Sequence, residues 1–161
     1  MPYTVEAKRT LDVATKLAAD SGHPYIGADH LGVALLSSRG TEAVCALKRL
    51  RVPTGALRRA LVGALPLGAE HRGGPRMSPR LGKLLQRASK LAAARDGGPT
   101  CTEDLLIALL QGDGPTREEI ASAIVRAANG SAYSCCVSAD ILRTVGDVFR
   151  DRESYSSRPK A

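Results

Sequence analysis

Aromatic residues are scarce in this sequence, which has no tryptophan, one phenylalanine and four tyrosines among 161 positions. The core of a folded domain must therefore be aliphatic, built from leucine, alanine, valine and isoleucine. Such a core favours close-packed helices over a β-sandwich. The length suits one domain or two small fused halves, and it is sufficient to bury a core without metal or disulfide staples.

Long apolar runs and a signal peptide are missing as well. No run approaches the roughly 18 residues that a membrane-spanning helix needs, and the start of the chain, 1–7, is mixed and polar. The four cysteines lack the spacing of metal ligands, which favours a cytoplasmic protein with reduced thiols and no metal. Two of them lie in apolar stretches and are interpreted as small core residues: Cys45 and Cys101.

The sequence also lacks the motifs of common enzymes. No Gly-x-x-x-x-Gly-Lys-Ser/Thr loop is present to bind a nucleotide phosphate. No Ser/His/Asp or Cys/His arrangement pairs a nucleophile with a base. We therefore expect a protein that is not an enzyme and that carries no cofactor. His23 is interpreted as a structural hydrogen-bonding residue.

The formal net charge is +7, from 23 lysines and arginines against 16 acidic residues. Basic proteins often bind nucleic acid or other anions. Here the basic residues are scattered along predicted helices, which favours solvated faces over a recognition surface. The best candidate for a nucleic-acid contact is the predicted helix that carries Arg58 and Arg59, so a basic helical regulator stays as the alternative class.

An internal repeat dominates what the sequence does contain. Shifted by 74 positions, Thr10–Leu36 aligns without a gap with Leu84–Leu110, and ten of the 27 pairs are identical. A period of this length indicates a duplicated structural unit. Any binding site should then occur in two copies or lie on the seam between them.

Apolar spacing and capping residues predict the same order of helices in both halves. Thr54 and Thr102 are predicted caps, and Thr116 with Glu119 has the spacing of a capping box. No strand pattern is found. The predicted helices are 4–21, one that begins at 29 and includes 31–36, 42–50, one that begins at 54 and includes 57–65, 78–95, one that begins at 102, 116–128 and 138–150. Repeat one spans 3–65, a Gly- and Pro-rich linker spans 66–76, repeat two spans 77–150, and the polar tail 151–161 is predicted to be disordered.

Particular motifs in the two copies resemble a known family. The first copy reads Tyr3-Thr4 and later Gly22-His23-Pro24-Tyr25-Ile26-Gly27-Ala28-Asp29-His30-Leu31, and the second reads Met77-Ser78-Pro79-Arg80 and later Thr102-Glu103-Asp104-Leu105-Leu106. These residues resemble the N-terminal double-repeat domain of Clp-family AAA+ unfoldases, most closely the ClpC type. The resemblance implies an all-α fold over 1–150, in which two tandem four-helix Clp repeats pack as one pseudo-two-fold domain. Without an ATPase loop, the chain is interpreted as either a fragment or a free-standing relative, and Met1 with the polar tail favours the free-standing interpretation.

The resemblance further implies two matching pockets for phosphorylated arginine. In each, a carboxylate at the start of a second helix binds the guanidinium, and a hydroxyl at the start of a first helix binds the phosphate. Both contacts are chemically sound, because carboxylates pair with guanidinium in a bidentate way and helix N-termini favour anions. The carboxylates carried over are Asp29 and Glu103, the hydroxyls are Thr4 and Ser78, and the assisting cations are Lys8 and Lys83.

The implied function is a non-catalytic module that binds substrates, adaptors or peptide ligands of a Clp protease system. Its partners would be Clp protease components or substrate proteins. A decoy that sequesters a Clp-targeting peptide antibiotic is a further alternative. Asp29 is one methylene shorter than the glutamate of the family, and the second copy has lost the Gly-His-Pro-Tyr turn. The two pockets are therefore expected to differ.

Overall fold

The computed structural model describes residues 2–69, 73–129 and Arg143, and over these residues the chain is mostly helical. The helices are α1 (Val5–Asp20), α2 (Ala28–Ser37), α3 (Glu42–Arg49), α4 (Thr54–Ala64), α5 (Pro79–Arg95), α6 (Thr102–Leu110) and α7 (Pro115–Asn129). Two short strands are β1 (Tyr25–Ile26) and β2 (Arg76–Met77). Apart from Arg143, the predicted helix 138–150 lies outside the described residues, as do linker residues 70–72 and the tail.

Helices α2 and α6 form the centre of the molecule. Every residue from His30 to Leu36 and from Asp104 to Leu110 is buried. Helix α1 packs on α2, α5 packs on α6, and the two central helices contact each other. Burial of each leucine in such a core stabilises the fold by about 1.5–3 kcal/mol. The predicted all-α domain of two packed repeats is confirmed, with a single aliphatic core that both repeats share.

Side-chain caps start several of the helices. The hydroxyls of Thr4, Thr41 and Ser78 accept hydrogen bonds from backbone N–H groups in the first turns of α1, α3 and α5. The predicted capping roles of three other threonines are wrong, because these residues lie inside their helices. Helix α4 is capped at Pro53, α6 at Cys101, and α7 already begins at Pro115. The corrected residues are Thr54, Thr102 and Thr116.

The prediction that no strands form is also wrong, because short parallel pairings join the two repeats. Tyr25 pairs with Arg76 and Ile26 with Met77. An isolated parallel bridge joins Tyr3 to Thr100. Strands of two residues are too short to show alternating hydrophobicity, so the sequence pattern carries no signal for them. In both places, a segment before a first helix lies beside the segment before the second helix of the other repeat.

The described start of the linker packs against the turn after α1. The carbonyl oxygen of Pro66 lies 2.7 Å from Nε2 of His23. Gly68 approaches the turn so closely that a Cβ atom there would lie 2.2 Å from the carbonyl oxygen of Ser21. A side chain at Gly68 would therefore force this segment away from repeat one.

Candidate ligand-binding site

Backbone pairing places the start of α1 beside the start of α6. The amide of Thr4 donates to the carbonyl oxygen of Thr100 at 3.0 Å, and the amide of Thr100 donates to that of Pro2 at 2.9 Å. The Thr4 hydroxyl itself accepts from the amide of Ala7 at 3.2 Å. Glu103 follows in the first turn of α6. The structure thus brings the helix starts that carry Thr4 and Glu103 to one edge.

The start of α5 lies beside the start of α2 in the same way. The amide of Ser78 donates to the carbonyl oxygen of Ile26 at 3.1 Å. The Ser78 hydroxyl accepts from the amide of Leu81 at 3.1 Å, as a helix cap does. Asp29 follows in the first turn of α2. Each hydroxyl therefore lies near the carboxylate-bearing helix of the other repeat.

The two lysines lie close behind the hydroxyls on their helices. Lys8 is one turn after Thr4 on α1, since its amide donates to the Thr4 carbonyl oxygen at 3.0 Å. The matching position on α5 is Gly82, and Lys83 comes one residue later. Both lysine side chains are exposed. Lys8 is therefore four residues, or one helical turn, after Thr4, whereas Lys83 is five residues after Ser78.

The two carboxylates differ in their surroundings. Asp29 Oδ1 accepts a hydrogen bond from the hydroxyl of Thr116 on α7. Glu103 is half-buried, and its carboxylate makes no hydrogen bond or ion pair within the described part of the chain. A carboxylate without protein donors can give both of its oxygens to a guanidinium. Of the two, Glu103 is therefore the better prepared for a bidentate contact.

Asp29 lines a groove that the sequence did not reveal. Helices α2, α4 and α7 enclose a cavity of about 200 Å³. Neither hydroxyl from the predicted pockets is among its lining residues, which are Asp29, Ala60, Leu61, Ala64, Leu65, Pro115, Thr116 and Glu119. Thr116 and Glu119 carry no ligand signal in the sequence, where their spacing indicates only a helix start. The 74-residue period aligns Thr116 with Glu42 but does not say what either residue contacts.

A buried histidine pair supports the start of α2. The amide of Gly27 donates to His30 Nδ1 at 3.0 Å, and His30 Nε2 lies 2.7 Å from His23 Nδ1. His23 Nε2 faces the Pro66 carbonyl oxygen, which can only accept. Both rings are therefore neutral, and each carries its proton on Nε2. Burial and the neighbouring His23 lower the pKa of His30, while Asp29 opposes this shift. The structural role predicted for His23 is confirmed.

An ion pair supports the start of α6 in the same way. Asp104 Oδ2 accepts from the amide of Cys101 at 2.9 Å, and its Oδ1 lies 2.9 Å from Arg95 Nη1. The hydrogen bond to Cys101 and the charge of Asp104 raise the pKa of Arg95. Burial raises the pKa of the Cys101 thiol. Cys101 is buried as predicted, whereas Cys45 is exposed on α3, so its interpretation as a core residue is wrong.

Among residues 2–69, 73–129 and Arg143, no three His, Cys, Asp or Glu side chains gather closely enough to hold a metal ion. No helix in this part of the chain has the length and hydropathy needed to cross a bilayer.

Solved structures with a similar fold come from several organisms. One from structural investigations of a malarial protein secretion system has a TM-score of 0.66 at 15% identity, and the match covers 99% of this chain and 100% of that chain. The Hsp104 N-terminal domain from Candida albicans has a TM-score of 0.64 at 20% identity, covering 96% and 93%. The N-domain of ClpV from Vibrio cholerae has a TM-score of 0.60 at 19% identity, covering 83% and 89%.

Sequence comparison places the chain in one family. A search of curated proteins found no significant match. The family model of the Clp repeat (R) N-terminal domain matches residues 2–124, which is most of the chain. Together with the doubled helical fold, this match means that the chain belongs to the Clp repeat N-terminal domain family.

Proposed function

We propose that this domain is a non-catalytic module that binds substrates or adaptors of a Clp-type ATPase. The family match and the likeness to the Hsp104 and ClpV N-domains support this class of function. A binding role also suits the buried side chains of His30 and Asp104, which bond the backbone amides at the starts of α2 and α6.

The ligand proposed is phosphorylated arginine, bound where α1 and α6 begin. The observation that supports this proposal is the hydrogen bond from the Thr4 amide to the Thr100 carbonyl oxygen, which joins the capped start of α1 to the segment before α6, and Glu103 lies in the first turn of α6. The carboxylate of Glu103 would bind the guanidinium. The amides at the start of α1, the Thr4 hydroxyl and Lys8 would bind the phosphate.

The second proposed pocket, with Ser78, Lys83 and Asp29, should bind the same ligand more weakly. Asp29 already accepts a hydrogen bond from Thr116, so one carboxylate oxygen is engaged. Lys83 is also one residue out of register with Lys8. The two pockets are therefore proposed to be unequal, with the α1–α6 pocket dominant.

Calorimetric titration of the protein with phosphoarginine tests this assignment. Glu103→Ala should weaken binding by roughly tenfold or more, about 1.4 kcal/mol, because it removes a charge-assisted contact. Asp29→Ala should have a smaller effect. Glu118→Ala is the matched control, since Glu118 is an exposed carboxylate in the first turn of α7.

Two results would reject the phosphoarginine site. One is phosphoarginine binding by the double variant Asp29→Ala, Glu103→Ala that equals binding by the unmodified protein, and the other is the absence of saturable binding to the unmodified protein. Tight binding to duplex DNA with a steep salt dependence would instead support the alternative of a nucleic-acid-binding regulator.

A further inference from the structure

The groove between α2, α4 and α7 has an aliphatic floor and acidic walls. Three residues of α4 and its C-cap residue form the floor: Ala60, Leu61, Ala64 and Leu65. Asp29 stands at the α2 wall and Glu119 at the α7 wall. A volume of about 200 Å³ is below the roughly 300–1,000 Å³ of pockets that enclose a whole small molecule. The groove is therefore the size for a single long side chain.

The charged side chains that line the groove are both acidic, which favours binding of a cation. The Thr116 hydroxyl engages Asp29 Oδ1, whereas Oδ2 has no protein partner in the described part of the chain. Glu119 is three residues after Thr116 on α7, so both side chains lie on the same helix face. The lining includes no lysine or arginine. Two carboxylates thus face an otherwise apolar groove in a chain whose net charge is +7.

The existing partner of Glu119 is easily displaced. Arg126 Nη2 lies 3.5 Å from Glu119 Oε1, and the two side chains are 70% and 44% exposed. Exposed pairs of this kind contribute little to stability. If a cation enters the groove, Glu119 would exchange its solvated contact with Arg126 for a contact that is flanked by aliphatic side chains.

We propose that this groove binds an unphosphorylated arginine side chain of a peptide segment. The methylene stem lies along the α4 floor, as aliphatic stems of basic residues do on apolar surfaces. The planar guanidinium has five donors, enough to serve Asp29 and Glu119 together. A phosphoryl group is disfavoured because the lining offers two anions and no basic side chain. The proposal is independent of phosphoarginine binding at Glu103, and it shares only the Asp29 carboxylate with the weaker proposed pocket of Ser78 and Lys83.

A set of matched short peptides tests the ligand chemistry. The probe is an acetylated and amidated Leu-Arg-Leu tripeptide. Three analogues carry citrulline, lysine or phosphoarginine in the central position. Binding to the whole protein is followed by NMR chemical shifts. We expect the arginine peptide to bind at least about tenfold more tightly than its neutral citrulline analogue, a difference of about 1.4 kcal/mol. The lysine peptide should bind with intermediate affinity.

Substitutions on one helix test the site. Glu119→Gln should weaken arginine-peptide binding at least about fivefold, close to 1 kcal/mol. Glu118→Gln should leave it unchanged, because Glu118 is exposed and does not line the groove. Asp29→Asn should also weaken binding. Because Glu119 is on the surface, its substitution keeps the test valid even if Asp29→Asn disturbs the fold.

Several results would overturn the proposal. They are equal affinity for the arginine and citrulline peptides, equal effects of Glu119→Gln and Glu118→Gln, tighter binding of the phosphoarginine peptide in a Glu119-dependent way, and no saturable shift. The Glu103 pocket is tested separately, by titration with phosphoarginine. Binding at that pocket should not change in Glu119→Gln.

Discussion

At the scale of single residues, the contact between Gly32 and Thr116 shapes the candidate groove. Gly32 lies within α2, although glycine is a poor helix former. A Cβ atom at this position would lie 2.5 Å from Thr116 Cγ2 and 3.6 Å from Leu61 Cδ1. The missing side chain lets α7 approach α2, and this approach puts the Thr116 hydroxyl on Asp29.

We expect Gly32→Ala to destabilise the protein by about 1–3 kcal/mol, the usual cost of overpacking a core. The loss should occur even though alanine favours a helix more than glycine does. Thermal or denaturant unfolding, followed by circular dichroism, measures the change in the free energy of unfolding.

A second substitution tests whether the clash is with Thr116. Thr116→Ser removes Cγ2 and keeps the hydroxyl, so it should restore more than half of the loss in the Gly32→Ala background. In the unmodified protein the same change should destabilise slightly, because it deletes a buried methyl group. Purely additive effects of the two substitutions would show that the strain arises elsewhere.

At the scale of the helix, the starts of α2 and α6 are stabilised in the same way but by different side chains. Both have an N-cap without a side-chain hydroxyl, and both use the third helical residue to reach back to the N-cap amide. That residue is His30 in α2 and Asp104 in α6. Its outer partner is neutral His23 in the first case and charged Arg95 in the second. The duplicated helices therefore respond differently to acid.

Acidification should weaken repeat one through the histidine pair. The folded state holds the pKa of His30 below the ordinary value of 6.5, mainly because of burial. The unfolded chain takes up a proton near pH 6.5 while the folded chain resists it. The free energy of unfolding should therefore fall as the pH drops below about 6.5, when compared between pH 7.5 and 5.5 by denaturant titration.

Glutamine at position 30 is the matched control for this effect. In His30→Gln, the side-chain oxygen can accept from Gly27 and the nitrogen can donate to His23, as in a capping box. The pH dependence should shrink in this variant. His71→Gln is introduced into both proteins so that the third histidine does not contribute. An undiminished fall in stability in His30→Gln would exclude His30 as the source.

At the scale of the whole molecule, each repeat completes the other. The amide of Ser78 donates to Ile26 and the amide of Thr4 donates to Thr100, so the hydrogen bonds of both short pairings cross between the repeats. The apolar faces of α2 and α6 also bury each other. Neither half has a complete core of its own.

We expect the intact protein to unfold in one cooperative transition. A fragment of residues 1–69 should have little helix by circular dichroism, because it exposes the face of α2 that packs on α6. Mixing it with the fragment 73–161 should restore helix signal. Two separate unfolding transitions, or a cooperatively folded 1–69 fragment, would contradict this view of a shared core.

How much could be predicted from the sequence depends on the range of each interaction. Helical periodicity is local, and it correctly predicted the order of the seven helices in the described residues. The caps at Thr102 and Thr116 were misassigned because their hydroxyls donate to Glu42 and Asp29, which are distant in sequence. The 74-residue period shows which residues are equivalent. The period does not show which residues are adjacent in space. It therefore could not predict the pairing across the repeats or the groove at Asp29.

The crossed pairings also constrain how the duplicated halves can diverge. Duplication ordinarily frees one copy to change while the other keeps the ancestral task. Here Thr4 belongs to the first copy and Glu103 to the second, yet they border the same edge, and Ser78 and Asp29 border the other. A substitution in either half would therefore alter a proposed pocket that the other half also builds, so we expect the two proposed sites to evolve together.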